Sequence, residues 1–413
     1  MTETKDSAPD YTTLDEMLSP LTRPIEQIEE NREIHHRERL SFAAFVRLLV
    51  YYFTTTTASG RQLLTDILSA APILGLGEVK HSTFFDAFQR FPVEWFKVLL
   101  VSLLTSVSWQ AIPELAALGQ LYCIDGSLFP ALATMTWADY KSTQQAIRLH
   151  LCFELNRMLA VQFIVDAGNS SEREALRQML QAGVTYIADR GYVDFQLLTD
   201  IVQAQAHFVM RMKSNLVYTV SEILSIDLPQ TTQHLFTQVS DQMVRLTNAK
   251  GQPLYRLVTF RVGAEAYLIL TDRRDLTTFQ VILLYAYRWQ VELVFRFLKR
   301  SLTGLHLLSN SQEGVTIQFY MLLCTALLQL RLKQACVTAT EGAPVSSSTD
   351  ASSIPGLMID PDLLRDARGQ TFLATVGSKL QRYWKIGIHW LITLRNLLAQ
   401  PFDQRAILLL GGP

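Results

Sequence analysis

Hydrophobic positions follow two textures along the chain. In the first quarter they recur every three to four residues. Phe42, Phe45, Val46 and Leu49 mark one helical stripe, and the pattern stays helical from Leu40 to about Trp109. Residues 81–88 read as a helix start capped by Ser82 or Thr83, after a turn at residues 75–77. Such a short helix suits a helix-turn-helix recognition element and plain bundle packing equally well. From Leu121 the period drops to two. Residues 121–124 form a strand-like run ending at Asp125-Gly126-Ser127, and residues 147–154 alternate with Ile147, Leu149, Leu151 and Phe153 on one face. A turn at Asn156-Arg157 leads to a third strand over 160–165. Ser171 and Glu174 form a capping box that opens a helix to about Gln181. A strand over 184–188 runs into Asp189-Arg190-Gly191-Tyr192, a helix follows over 195–203, and a fifth strand spans 207–212.

The order is β-β-β-α-β-α-β. Parallel strands need crossover connections, and the two helices supply them. This predicts an α/β fold with a ribonuclease-H-like core, a mixed five-stranded sheet with helices. Further strand-like pieces at 254–262 and 266–271 predict a β-rich insertion over about 215–275. A strong helix is predicted from about Leu276 through Leu302. Residues 340–355, rich in Ser, Thr, Ala, Gly and Pro, read as a linker, and residues 377–399 as a basic amphipathic helix. The expected organisation is an acidic, flexible leader over 1–30, a helical domain over 31–115, an α/β domain over 116–335, a linker over 336–370 and a helical C-terminal region over 371–413.

Composition changes this picture only when it is read by segment. The 413 residues carry 37 Lys and Arg against 38 Asp and Glu, and 49% are hydrophobic. Such a chain is not disordered and not a uniformly basic nucleic-acid binder. The neutrality is an average: residues 1–30 hold a net −6, residues 281–340 and 376–413 each a net +4. Basic clusters of that size suit either a solvated face or a phosphate backbone. The four cysteines form no C-x-x-C pair, which argues for a reducing compartment and against a zinc finger. His35-His36 have no Cys partner at ligand spacing. The uncharged runs near 98–113 and 314–330 are short for a membrane span, and the acidic N-terminus does not resemble a signal peptide.

The chemistry-bearing residues sit at the ends of these elements. Asp125 closes the first strand and Asp189 the fourth, and in an open α/β sheet neighbouring strand ends converge on one edge. Each Asp taken alone also fits an ordinary turn. On the late helix, Tyr285, Arg288, Glu292 and Lys299 fall within about 40° of one stripe, with Arg296 beside them. The stripe suits a carboxylate flanked by phosphate-holding cations, and equally an exposed helix with Arg288–Glu292 and Glu292–Arg296 ion pairs. His150, with Arg148, faces either the site or the solvent. Asp166 and Glu172 add nearby acids.

Ile124-Asp125-Gly126-Ser127, Ala188-Asp189-Arg190-Gly191-Tyr192 and the spacing Tyr-x2-Arg-x3-Glu-x6-Lys together resemble the DDE transposases of the IS4 insertion-sequence family. The likeness covers about Gln120 to Ala335 and takes in residues 208–215. The resemblance implies a catalytic, metal-binding triad of Asp125, Asp189 and Glu292. It implies DNA phosphate contacts from Arg288, Lys299 and Tyr285, joined by Arg211, Lys213 and Arg296. It implies Mg²⁺, with Mn²⁺ as a substitute, and cleavage at transposon ends followed by strand transfer into target DNA. The partners it implies are double-stranded DNA, as terminal inverted repeats and target, and a second copy in a homodimeric synaptic complex. The setting it implies is the prokaryotic cytoplasm, at the nucleoid when on DNA, with no membrane. Two rivals are a non-catalytic DNA-binding protein derived from a transposase and a nuclease of the same fold with another purpose.

Overall fold

The computed structural model describes residues 12–34, 36, 38–54, 65, 79–106, 113–142, 144–302 and 307–341. The expected turn at 75–77, most of the linker and the basic C-terminal helix lie outside these residues. The chain divides into two compact units, one formed by the described residues before 107 and after 299, the other by residues 113–299.

The first unit is helical: α1 (Thr12–Asn31), α2 (Phe42–Thr54), α3 (His81–Arg90), α4 (Val93–Ser106) and a long helix, Gln312–Glu341. The leader expected to be loose is α1 from residue 12 onward. Met17, Leu18, Leu21 and Pro24 lie on one helical face and are buried, and burial outweighs two interior prolines. Pro20 has no N–H to give the Glu16 carbonyl. The Ser19 hydroxyl donates to that carbonyl at 2.8 Å instead. Asp15 pairs with Arg47 of α2 at 2.5 Å, so the acids of this segment are partly structural.

The core of this unit is aromatic. Phe45 meets Phe88 edge-on at 5.0 Å between centroids, and Phe42 meets Phe96 at 5.2 Å. The start of α3 differs from expectation: its N-cap is Lys80, which makes no side-chain cap bond, and the helix already includes Ser82 and Thr83. The uncharged run near 314–330 buries Val315, Ile317, Met321, Cys324 and Leu328. Its helix packs on α2 and α4, in the helical unit. No described helix is long and apolar enough to cross a membrane.

The second unit is mixed α/β. A short helix α5 (Pro113–Ala116) leads into β1 (Gln120–Pro130), β2 (Asp139–Lys141), β3 (Gln144–Glu154), β4 (Leu159–Ala167), α6 (Glu172–Gln178), β5 (Val184–Ala188), α7 (Phe195–Gln203) and β6 (His207–Arg211). There follow β7 (Tyr218–Ile223), β8 (Thr237–Leu246), β9 (Leu254–Val262), β10 (Glu265–Thr271), α8 (Thr278–Tyr287) and α9 (Trp289–Leu302). The sheet order is β2-β3-β1-β5-β6-β10-β9-β8-β7, with β4 also paired to β3. β1, β5 and β6 run parallel, and β3 pairs antiparallel with both β1 and β4. The core order read from the sequence is thus present, with β2 as an unforeseen short strand.

The β-rich segment is not a separate insertion subdomain. β10 pairs antiparallel with β6, Leu270 opposite Met210, and β9, β8 and β7 continue outward. The far edge of β6 offers free backbone donors and acceptors, and the segment extends the same sheet to satisfy them. Alternation then sorts the side chains. Tyr122, Ile124, Tyr186, Ala188, Phe208 and Met210 face α6 and α7, packing on Leu176, Leu197, Leu198 and Ile201. Cys123, Asp125 and Ile187 face the opposite side, where α8 packs against β5, β6, β9 and β10.

Candidate active site

Asp125 does not end its strand. β1 continues to Pro130, held by β3, but its parallel pairing with β5 stops at Cys123 opposite Ile187. Asp125 therefore lies just past the end of β5, where Asp189 also emerges. The two aspartates are held alike. Each Oδ1 accepts a hydrogen bond of 2.8 Å from the backbone N–H of the next residue, Gly126 or Arg190. That bond fixes the carboxylate rotamer and leaves Oδ2 outside it.

The third carboxylate comes from the late helix, which is interrupted once. α8 stops at Tyr287 and α9 starts at Trp289, with Arg288 between them still in the right-handed helical region. The turn tightens there: Arg288 N–H bonds Tyr285 C=O, and Val291 N–H bonds Arg288 C=O. α8 begins with a full capping box, Thr277 with Gln280. A buried pair anchors that end, since Asp241 of β8 accepts from Arg256 at 2.6 Å and from the Thr278 hydroxyl at 2.7 Å.

Arg288 joins the carboxylates. Its guanidinium donates to Glu292 Oε1 at 3.0 Å and lies 3.8 Å from Asp125 Oδ2. The Tyr285 hydroxyl donates to Asp189 Oδ1 at 3.1 Å. Tyr285, Arg288 and Glu292 thus bring all three acids to one end of the sheet. Burial pushes the Asp125 carboxyl up to about 6; Arg288 and the Gly126 N–H pull it down, and Glu292 and Glu172 push it further up. Burial works against the Arg288 charge, yet Tyr285, Asp189, Asp125 and Glu292 hold it above the usual guanidinium range. Burial raises the Tyr285 phenol to about 12, so it stays a donor at neutral pH.

Two sequence-based roles look different in this light. Tyr285 is 4% exposed and its hydroxyl is committed to Asp189, and Arg288 is tied to the acids, so neither faces outward toward a phosphate here. Arg211 reaches the site through Tyr285: its guanidinium donates a hydrogen bond to the Tyr285 phenol and sits 4.5 Å over the Tyr267 ring. Lys213 is exposed. The side chains of Arg296 and Lys299 lie outside the described residues, although their backbone is helical. Asp166 turns its carboxylate to the Ala167 N–H and takes no part in the cluster. His150 faces neither solvent nor the three acids. It is fully buried on the α6 side, directly across from Gly126. Burial and Arg148 depress it to about 4, so it is neutral. Sequence reasoning quoted Tyr192 only as part of its motif and named Arg148 and Glu172 without their pairing.

The donor set is all carboxylate oxygen, the chemistry that suits a hard divalent cation. Among the described residues no three His, Cys, Asp or Glu side chains converge closely enough to hold a metal ion. Arg288 supplies positive charge at the focus of the three acids, so the arrangement already favours a cation there.

The family model described as "Transposase DDE domain" matches residues 117–328. The chain is 29% identical over 263 residues to "Putative transposase y4zB" of Sinorhizobium fredii (strain NBRC 101917 / NGR234), covering 61% of this chain and 72% of that protein. It is 21% identical over 312 residues to "Probable transposase for insertion sequence element IS5377" of Geobacillus stearothermophilus, covering 75% and 82%. Among solved structures, a piggyBac transposase synaptic complex with hairpin DNA aligns over 96% of this chain at 11% identity, with a TM-score of 0.39, too low to carry an argument.

Proposed function

Because this chain belongs to the transposase DDE domain family and is a DNA transposase, we propose that Asp125, Asp189 and Glu292 are its catalytic acids and hold two Mg²⁺ ions, or Mn²⁺ in their place. The family works with a divalent metal and binds DNA. Such a pair of cations would neutralise the charge that builds on the attacking and leaving oxygens of a phosphodiester. The observation that carries the reading is the Arg288 guanidinium, which lies within reach of both Asp125 and Glu292 while Tyr285 holds Asp189.

The chain's own residues have distinct tasks. The Gly126 and Arg190 N–H groups hold the aspartates in one rotamer. Tyr285 keeps Asp189 oriented. Arg288 balances the charge of the acids, and its guanidinium is of the kind that would hold a DNA phosphate. Arg211, Lys213, Arg296 and Lys299 extend the phosphate-binding surface along the DNA. The strand order β3-β1-β5-β6 with crossover helices supports a ribonuclease-H-like core, and the motif spacing supports the IS4 insertion-sequence group. The helical first unit binds terminal inverted repeats, and the basic C-terminal region binds DNA or another subunit. The enzyme works as a homodimer that pairs two transposon ends in a prokaryotic cytoplasm.

Strand transfer tests this: a labelled terminal-repeat duplex, supercoiled target, and Mg²⁺ or chelator, with wild type beside Glu292→Gln. Joined product is expected only from wild type with metal. Joining by Glu292→Gln at the wild-type rate overturns the triad. Repeat binding without cleavage by the wild type supports the non-catalytic rival.

A further inference from the structure

Gly126 and Gly191 follow the two aspartates by one and two positions, and one side chain stands against both. It is Glu172, the first residue of α6. A Cβ built on Gly191 would lie 2.7 Å from Glu172 Oε2, and one built on Gly126 would lie 3.4 Å from Glu172 Oε1. The carboxylate cannot simply swing aside. Oε1 pairs with Arg148 Nη1 at 2.7 Å, and Arg148 is itself fixed by two bonds to the Gly168 carbonyl at 3.0 and 2.9 Å.

Two further groups converge on the same spot. His150 Nδ1 and the Tyr192 hydroxyl would lie 3.3 and 3.5 Å from the Gly126 Cβ. These residues are 0% and 1% exposed, and both atoms lack a hydrogen-bond partner. Buried polar atoms left unpaired are costly, and two that converge on the Gly126 backbone mark a site under more constraint than packing imposes.

Strand alternation separates this cluster from the acids. Asp125 points to the α8 side of the sheet, whereas Gly126 points to the α6 side. Glu172 therefore presses on the backbones that carry the aspartates from the face opposite their carboxylates. It cannot serve as a fourth ligand.

We propose that Glu172 is a positioning residue: locked by Arg148, its carboxylate wedges between Gly126 and Gly191 and sets the separation of Asp125 and Asp189. This rests on the reading of those aspartates as the paired acids. A Cβ at Gly191 would collide with the wedge, and one at Gly126 would fit only tightly between Glu172 and His150.

The test is a double-mutant cycle on the full chain. Binding of Mn²⁺ alone is followed by electron paramagnetic resonance, with thermal melting in parallel. Partners that orient metal-binding groups are worth roughly 10–100-fold in metal affinity. Gly191→Ala is expected to weaken Mn²⁺ binding about tenfold in the wild-type background and to cost little further in a Glu172→Ala background. Glu172→Gln is expected to weaken Mn²⁺ binding while melting near the wild-type temperature. An equal cost of Gly191→Ala in both backgrounds overturns the wedge. So does a Glu172→Gln protein that melts lower but binds Mn²⁺ normally. Asp125→Asn and Asp189→Asn are run beside these. If they bind Mn²⁺ as wild type does, the paired-acid reading fails and takes this proposal with it. If they lose Mn²⁺ while the Glu172 variants keep it, only the wedge fails.

Discussion

The Tyr285 hydroxyl donates a 3.1 Å hydrogen bond to Asp189, which lies 96 residues earlier in the chain. A buried phenol on a helix thereby sets the direction of a carboxylate at a strand end. Removing the hydroxyl keeps the ring and its contacts with Tyr267 but loses the donor. A hydrogen bond to a charged group contributes about 1.5–3 kcal/mol, which corresponds to roughly ten- to a hundredfold in rate. Tyr285→Phe is expected to lower end cleavage by that factor without lowering the melting temperature by more than a few degrees. Full activity in Tyr285→Phe would show that Asp189 does not depend on this bond.

The end of α8 that leads to Tyr285 is fastened by Asp241, which accepts from Arg256 and Thr278. Its side chain is fully buried and that of Arg256 is 6% exposed. Removing one member of such a pair strands the other charge and costs about 3–5 kcal/mol. Asp241→Ala should lose stability on that scale in chemical denaturation. A loss below about 1 kcal/mol would mean the pair is solvated in solution.

His150 links stability to pH. Its folded value is about 4, depressed by burial and by Arg148, against an ordinary value near 6.5. Between these values the unfolded chain binds a proton that the folded chain does not, so stability falls as pH drops from about 6.5 to about 4. Denaturant midpoints across that window should fall for the wild type and fall less for His150→Gln. Equal slopes in the two proteins would show that His150 accepts a proton in place.

In the helical unit, Phe45 is fully buried and meets Phe84, Phe88, Phe91 and Phe96 at 5.0 to 6.1 Å. Phe45→Ala removes the centre of that cluster, at a cost of about 3–5 kcal/mol. Phe45→Leu keeps most of the volume and should recover more than half of the loss. Comparable denaturation midpoints for Phe45→Ala and wild type would refute this packing.

Much of the site was legible along the chain. Asp125, Asp189 and Glu292 stand in motifs whose spacing survives translation into three dimensions. Strand periodicity is local, and so is the i, i+4 relation between Arg288 and Glu292, and local geometry follows from residue order. The core strand order was legible for the same reason, because β-β-β-α-β-α-β leaves few ways to pair strands with right-handed crossovers. What periodicity could not show is which elements share a surface. Residues 12–31 read as a loose acidic leader, yet Met17, Leu18 and Leu21 find neighbours to bury against and the segment folds. The strands over 215–275 read as an insertion, yet the open edge of β6 recruits β10 and the sheet grows.

Taken alone, the sequence offered three candidate acids in order and determined the alternation that sends Asp125 and Gly126 to opposite faces, because alternation depends only on neighbours within a few residues. Only the tertiary structure decided that Arg288 stands among those acids, that Tyr285 holds Asp189, and that Glu172 reaches both glycines. Those contacts join segments up to 163 residues apart, and such distances close only when the sheet and its helices pack.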